Sequence, residues 1–220
     1  MSDIGTLNES SLHAAIKAEL AEAGDIFEQP LDGFVIDLVR GQQLIEIQTG
    51  SFGALGRKLD RLLGQYRLHL VHPIALETWI VRDGKPTRKS PKRGSVHDLF
   101  AELASLPTLL DHPNLTLEIL LVRQEAVREP DPRARRGRGG WRTVDRRLRE
   151  VVGREWFDEP ADLVRLLPPD LPEIFTTADL AAGAGIQRRL AQSMAYCLRK
   201  TELIVDVERR ADGVRYRLAR

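Results

Sequence analysis

Cysteine is almost absent from this 220-residue chain: Cys197 is the only one. A single thiol excludes an internal disulfide framework and fits a reducing cytosol. Long apolar runs are missing too, and the N-terminus has no signal-peptide pattern, so neither a membrane span nor an exported precursor is expected. Aromatic residues make up only 5% of the chain, with no stacking motif of the kind single-strand readers use. No sign of charge dominates either, since the formal net charge is +1. What is present is a 42% hydrophobic fraction, enough for a folded core rather than disorder. The length suits one large domain or two small ones.

The near-zero net charge hides a strong asymmetry. Residues 1–60 hold ten acidic against four basic side chains, a net of −6. Residues 133–149 hold eight arginines against one aspartate, a net of +7. An acidic end that can take a metal, followed by a basic half, suits a protein that acts on a polyanion.

The most informative stretch is residues 33–50, GFVIDLVRGQQLIEIQTG. It reads as two strands around a two-residue turn at Gly41-Gln42. Counting outward, Arg40 faces Gln43, Val39 faces Leu44 and Asp37 faces Glu46. Alternation then gathers Asp37, Glu46 and Gln48 on one face, with Ile36, Leu38, Ile45 and Ile47 on the other. Two facing carboxylates repel by roughly 0.2–1 kcal/mol, and apolar neighbours add a desolvation cost. A divalent cation bound by hard oxygen ligands reverses that sign.

Asp37, eight intervening residues and Glu46-Ile47-Gln48 resemble the active-site hairpin of the PD-(D/E)XK nuclease superfamily. The resemblance covers about residues 4–128 and implies a three-layer αβα core with a mixed central sheet. It also implies that Asp37 and Glu46 hold Mg²⁺ or Mn²⁺, with an acidic residue of the first helix, here Glu9, joining them. Gln48 stands where that family has lysine. Its amide can position a water but carries no charge to stabilise hydroxide.

Around this hairpin the pattern predicts a helix over 6–23, with Thr6 and Glu9 as a capping box and Leu12, Ile16 and Leu20 inward. Residues 30–33 form the turn into the hairpin, and Gly24 ends the helix. A second helix is expected over 52–66, where Arg57 and Lys58 are candidates for phosphate contact and Lys58 for the missing lysine. Residues 67–82 read as two strands broken near Pro73. His69 and His72 lie there on opposite faces and are read as structural. A basic loop (85–94), a helix (95–105) and a buried strand (115–127) complete the first domain, residues 1–128.

Residues 129–141 read as a Pro/Gly/Arg linker, and 142–152 as a helix continuing its basic character. Arg135, Arg136 and Arg138 of the linker are candidate phosphate contacts. Residues 142–220 are taken as the second domain. There a helix over 161–167, a helix begun by the Thr176–Asp179 capping box, a longer helix over 186–200 and a hairpin turned at Asp212-Gly213 resemble a winged helix-turn-helix domain. In that register Val207 faces Leu218 and Glu208 faces Arg217. Gln187, Arg188 and Arg189 start the recognition-like helix, and Arg210 flanks the wing.

Two functional readings follow. One is a metal-dependent DNA endonuclease or nuclease-like DNA-processing protein acting on double-stranded DNA, for which a homodimer would suit cutting both strands. The other is a catalytically inactive DNA-binding or regulatory protein that keeps the nuclease fold as a scaffold.

Overall fold

An amphipathic stripe starts the architecture. In the computed structural model, which describes residues 10–133, 140–211 and 213–219, helix α1 spans Ser11–Leu20. Its cap is Ser10, whose hydroxyl accepts the His13 N–H at 3.3 Å; the expected Thr6–Glu9 box lies outside the described residues. Leu12, Ile16 and Leu20 bury against Leu38, Ile45, Ile47, Val71, Leu120 and Val122. Each such leucine or isoleucine side chain contributes about 1.5–3 kcal/mol on burial.

The structure is mixed α/β, and the chain forms two compact units. The first contains residues 1–49, 70–95 and 119–155, and the second 50–69, 96–118 and 156–220. A seven-stranded sheet is ordered β1-β2-β3-β4-β6-β7, with β5 paired to β4. Its strands are β1 Ile26–Leu31, β2 Phe34–Arg40, β3 Gln43–Ile47, β4 Arg67–Arg82, β5 Lys85–Lys89, β6 Leu115–Pro130 and β7 Trp141–Phe157. The chain passes between the units inside the long strands β4, β6 and β7.

The central hairpin follows its expected register: Leu38 pairs with Ile45, Val39 with Leu44 and Arg40 with Gln43. Gly41 takes φ +59° at the first turn position, a conformation that glycine adopts without steric cost. Strand β1 was not expected. Asp32 (φ 51°) and Gly33 (φ 83°) form a left-handed turn that folds β1 onto β2 as a second hairpin, with Phe27 paired to Leu38 and Gln29 to Ile36.

Four further expectations are corrected. Residues 67–82 form one strand through Pro73; that proline lies between Val71, which accepts the Gln48 N–H, and Leu76, which accepts the Gly94 N–H. Residues 85–89 form strand β5 rather than a loop. Residues 129–141 are not an interdomain linker: β6 runs to Pro130, β7 begins at Trp141, and the two are sheet neighbours. The Asp131 N–H donates to Gly140 O at 2.7 Å across that connection. Finally, 142–152 is strand, not helix. Burial alternates along Trp141–Phe157, and its valines, threonine and tryptophans fit a pleated, half-buried surface better than a helix.

In the second unit, a 3₁₀ turn Phe52–Ala54 leads into α2 Gly56–Leu62, shorter than expected, and α3 spans Leu99–Leu103. A 3₁₀ segment Pro160–Leu166 follows β7. Then come α4 Thr177–Gly183, α5 Arg188–Lys200, β8 Ile204–Arg210 and β9 Gly213–Leu218. The Thr176–Asp179 capping box is complete in both directions. Helix α5 ends where Glu202 turns left-handed (φ 58°). There the Leu203 N–H reaches Leu198 O at 2.8 Å and the Glu202 N–H reaches Arg199 O at 3.2 Å, the paired bonds of a Schellman stop. The terminal hairpin departs from its expected register. Glu208 pairs with Arg215, a bulge follows at Val207, and Ile204 pairs with Leu218. A backbone bridge joins Phe175 to Tyr216.

Candidate functional site

The first unit places a row of carboxylates across three strands. Phe27↔Leu38 and Gln29↔Ile36 flank the position where Glu28 of β1 lies across from Asp37 of β2. The β2–β3 ladder ends at Leu38↔Ile45, one residue short of Asp37 and Glu46. Glu28 holds a left-handed backbone (φ 50°), which a non-glycine residue adopts at a cost of about 1–3 kcal/mol. Such strain clusters at functional sites. Glu46 is buried, at 8% exposure.

Helix α1 brings two basic side chains, one turn apart, onto two of these carboxylates. His13 Nε2 lies 3.1 Å from Asp37 Oδ2, and Lys17 Nζ donates to Glu28 Oε1 at 3.0 Å. Lys17 is itself buried, at 8% exposure. The Ile47 N–H donates to the same Asp37 Oδ2 at 2.8 Å, so a side chain fills the place of a strand partner beside Glu46. Burial pushes the Asp37 carboxyl upward. The His13 and Ile47 hydrogen bonds and the charges of His13 and Lys17 outweigh that and hold it below the usual carboxylate value. Asp37 is therefore an ionised, half-buried acceptor at neutral pH.

The rest of the predicted constellation is arranged differently. The Gln48 backbone bridges to β4: its N–H donates to Val71 O at 2.8 Å, and its carbonyl accepts from His72 Nδ1 at 2.6 Å. His69 lies 2.9 Å from Glu118 in the second unit and stacks on Trp156 with ring centroids 5.0 Å apart. The two histidines thus have separate partners, in keeping with their structural reading. Glu9 lies outside the described residues. Among the described residues, no group of three or more histidine, cysteine or acidic side chains is placed to hold a metal ion.

His13, Lys17 and Glu28 were missed as site residues. The spacing of His13 and Lys17 on one helix face was visible, but their target was not, because residues 25–29, with Glu28, were assigned to no element. In the second unit, Arg57 is exposed and Lys58 half-buried on α2. Gln187, Arg188 and Arg189 are exposed at the start of α5, where Arg188 Nε donates to Thr177 Oγ1 at 3.0 Å. Arg210 pairs with Glu208 at 2.8 Å. Arg135, Arg136 and Arg138 lie outside the described residues. No described helix is long and apolar enough to cross a membrane.

Comparison with known proteins adds kinship. No solved structure matches the chain. An uncharacterized protein of Treponema pallidum (strain Nichols) is 35% identical over 195 residues, covering 86% of this chain and 78% of that protein. A family model described as a domain of unknown function, DUF8091, matches residues 10–158, from the cap of α1 to the end of β7 and so through the whole carboxylate row. The chain belongs to the DUF8091 domain family.

Proposed function

We propose that this protein is a nuclease-like DNA-processing protein whose catalytic centre is built from Asp37 and Glu46 of the central hairpin, with Glu28 of β1 beside Asp37. The observation that carries the reading is Asp37. It is ionised and half-buried, lies across from Glu28 in the β1–β2 register, and is held by His13 Nε2 at 3.1 Å and the Ile47 N–H at 2.8 Å. A structural aspartate needs no such neighbours, because clustering like charges costs stability. The element order α1-β1-β2-β3-α2-β4 supports a PD-(D/E)XK-like core.

In this reading Asp37 and Glu46 would hold Mg²⁺ or Mn²⁺, which would supply charge stabilisation at a phosphate and lower the pKa of a bound water. Lys17, buried and bound to Glu28, supplies the positive charge that Gln48 lacks. His13 fixes the Asp37 carboxylate. The second unit would deliver DNA through a winged helix-turn-helix, a reading supported by α4, α5 and the β8–β9 hairpin, with Gln187, Arg188 and Arg189 exposed at the start of α5. Such a helix start can read base edges or grip phosphates.

One observation favours the inactive-scaffold reading. Asp37 Oδ2 already accepts from two protein groups, and no third metal ligand joins it among the described residues. A nicking assay on supercoiled DNA with Mg²⁺ or Mn²⁺ separates the two, run beside Asp37→Asn. Breaks from wild type, reduced at least 100-fold in the variant, are the expected outcome. Salt-sensitive binding without breaks would establish the scaffold, and cleavage unchanged in Asp37→Asn would remove this site from either reading.

A further inference from the structure

The far end of the same sheet carries an arrangement that neither the carboxylate row nor the helix-turn-helix accounts for. Two tryptophans of the first unit are each covered by two cations. Over the Trp79 ring lie Arg149, with its guanidinium carbon 4.4 Å from the centroid, and Lys89, with Nζ at 5.0 Å. Over Trp141 lie Arg82 at 4.6 Å and Lys85 at 5.3 Å. The register sets Trp79 directly beside Lys89, and Arg82 beside Lys85.

A cation held over an indole differs from one held by a carboxylate. The ring quadrupole attracts it, yet its full charge remains available. The long side chain is also restrained before any ligand arrives, which lowers the entropy lost on binding. Trp79 and Arg82 are three residues apart on β4, a distance of about 10 Å, or roughly three base-pair rises along the axis of a duplex. Among the described residues, carboxylates here are outnumbered by cations: Lys89 (2.7 Å), Arg93 and Arg123 (3.4 Å) approach Glu77, and Glu125 lies 3.7 Å from Arg149. Trp141 also closely follows the arginine-rich stretch 133–138 in the sequence.

We propose that the Trp79–Trp141 face is a phosphate-backbone grip for double-stranded DNA, made of four cations pre-positioned on two indole rings. Covered rings offer no open face for base stacking, so the grip is sequence-independent and has no preference for single strands. An anionic membrane is a poorer match, since peripheral membrane surfaces combine cations with exposed apolar anchors, and these tryptophans are only half-exposed. The proposal rests on the preceding reading only in taking DNA as the partner.

The test is fluorescence-anisotropy titration of the full chain with a labelled 20-base-pair duplex, without divalent metal, across a salt series. The variants are Lys85→Ala/Lys89→Ala and Trp79→Leu. Both lysines are exposed, so the double variant should fold normally. It is expected to flatten the slope of log K against log salt by about 1.8, since each phosphate contact contributes about 0.9. That corresponds to a loss of up to roughly 60-fold at 0.1 M salt. Trp79→Leu removes no charge and should weaken binding several-fold with the slope nearly unchanged, a signature that simple charge loss would not produce.

An unchanged affinity and slope in the double variant would overturn the proposal while leaving DNA as a partner. So would tighter binding to a single strand or to phosphatidylserine vesicles than to the duplex. A wild type that binds no duplex would remove both this face and the preceding reading. Binding through this face without cleavage would remove only the nuclease.

Discussion

Removing Arg40 should detach the end of α1 from the sheet and so loosen the cover over the carboxylate row. Arg40 ends β2, and its guanidinium grips Asp25 with a fork: Nε to Oδ1 at 2.9 Å and Nη2 to Oδ2 at 2.8 Å. Nη2 also donates to Leu20 O at 2.7 Å, at the last residue of the helix, and Nη1 lies 2.7 Å from Glu22. Asp25 is 1% exposed at its side chain and Arg40 33%. Breaking a buried pair by removing one partner costs about 3–5 kcal/mol. The partial exposure of Arg40 puts Arg40→Met at the lower end, about 3 kcal/mol.

The same pair predicts an acid signature. The Arg40 hydrogen bonds, opposed by burial, pull the Asp25 carboxyl from 3.8 down to about 2. A carboxyl whose folded pKa is depressed stabilises the protein above its unfolded pKa, and that contribution disappears as pH falls through the folded value. Urea unfolding of wild type and the Asp25→Asn variant should therefore differ by a constant amount above about pH 4, with the gap closing toward about pH 2. The clamp would be refuted by an Arg40→Met cost under about 1 kcal/mol. A stability gap between wild type and Asp25→Asn that stays level down to about pH 2.5 would refute it equally.

Three further outcomes are expected. Glu202→Gly should stabilise the second unit by about 1 kcal/mol in thermal unfolding, because the Schellman position is left-handed at φ 58° and glycine adopts it without steric cost. Gly183→Ala should destabilise by about 1–3 kcal/mol, since its Cβ would sit 2.7 Å from the Pro168 Cβ, too close without a backbone shift. Cys197, buried on α5 with its thiol pushed up to about 12 by burial, should resist thiol reagents at about pH 8 in the native protein and react at once in denaturant.

Local chemistry was enough for part of this protein. The turn at Gly41-Gln42 set the register Arg40↔Gln43, Val39↔Leu44 and Leu38↔Ile45, because a two-residue hairpin leaves the pairing little freedom. The Thr176–Asp179 box started α4, because its hydrogen bonds close within four residues. The apolar spacing of Leu12, Ile16 and Leu20 located α1.

Tertiary structure decided the rest. Arginine-rich β7 has a charge pattern compatible with a helix face, and only pairing with β6 makes it a strand. Glu28 came beside Asp37 when β1 folded back on β2 around the Asp32-Gly33 turn, a hairpin whose first strand carries no clear apolar alternation. The terminal hairpin already differs from its expected register beside the turn, where Arg210 pairs with Gly213, and the bulge at Val207 shifts it by one residue more. His13 and Lys17 carried the right spacing from the start. Their meaning came from the strands that α1 covers, since a helix face acquires a role only from what packs beneath it.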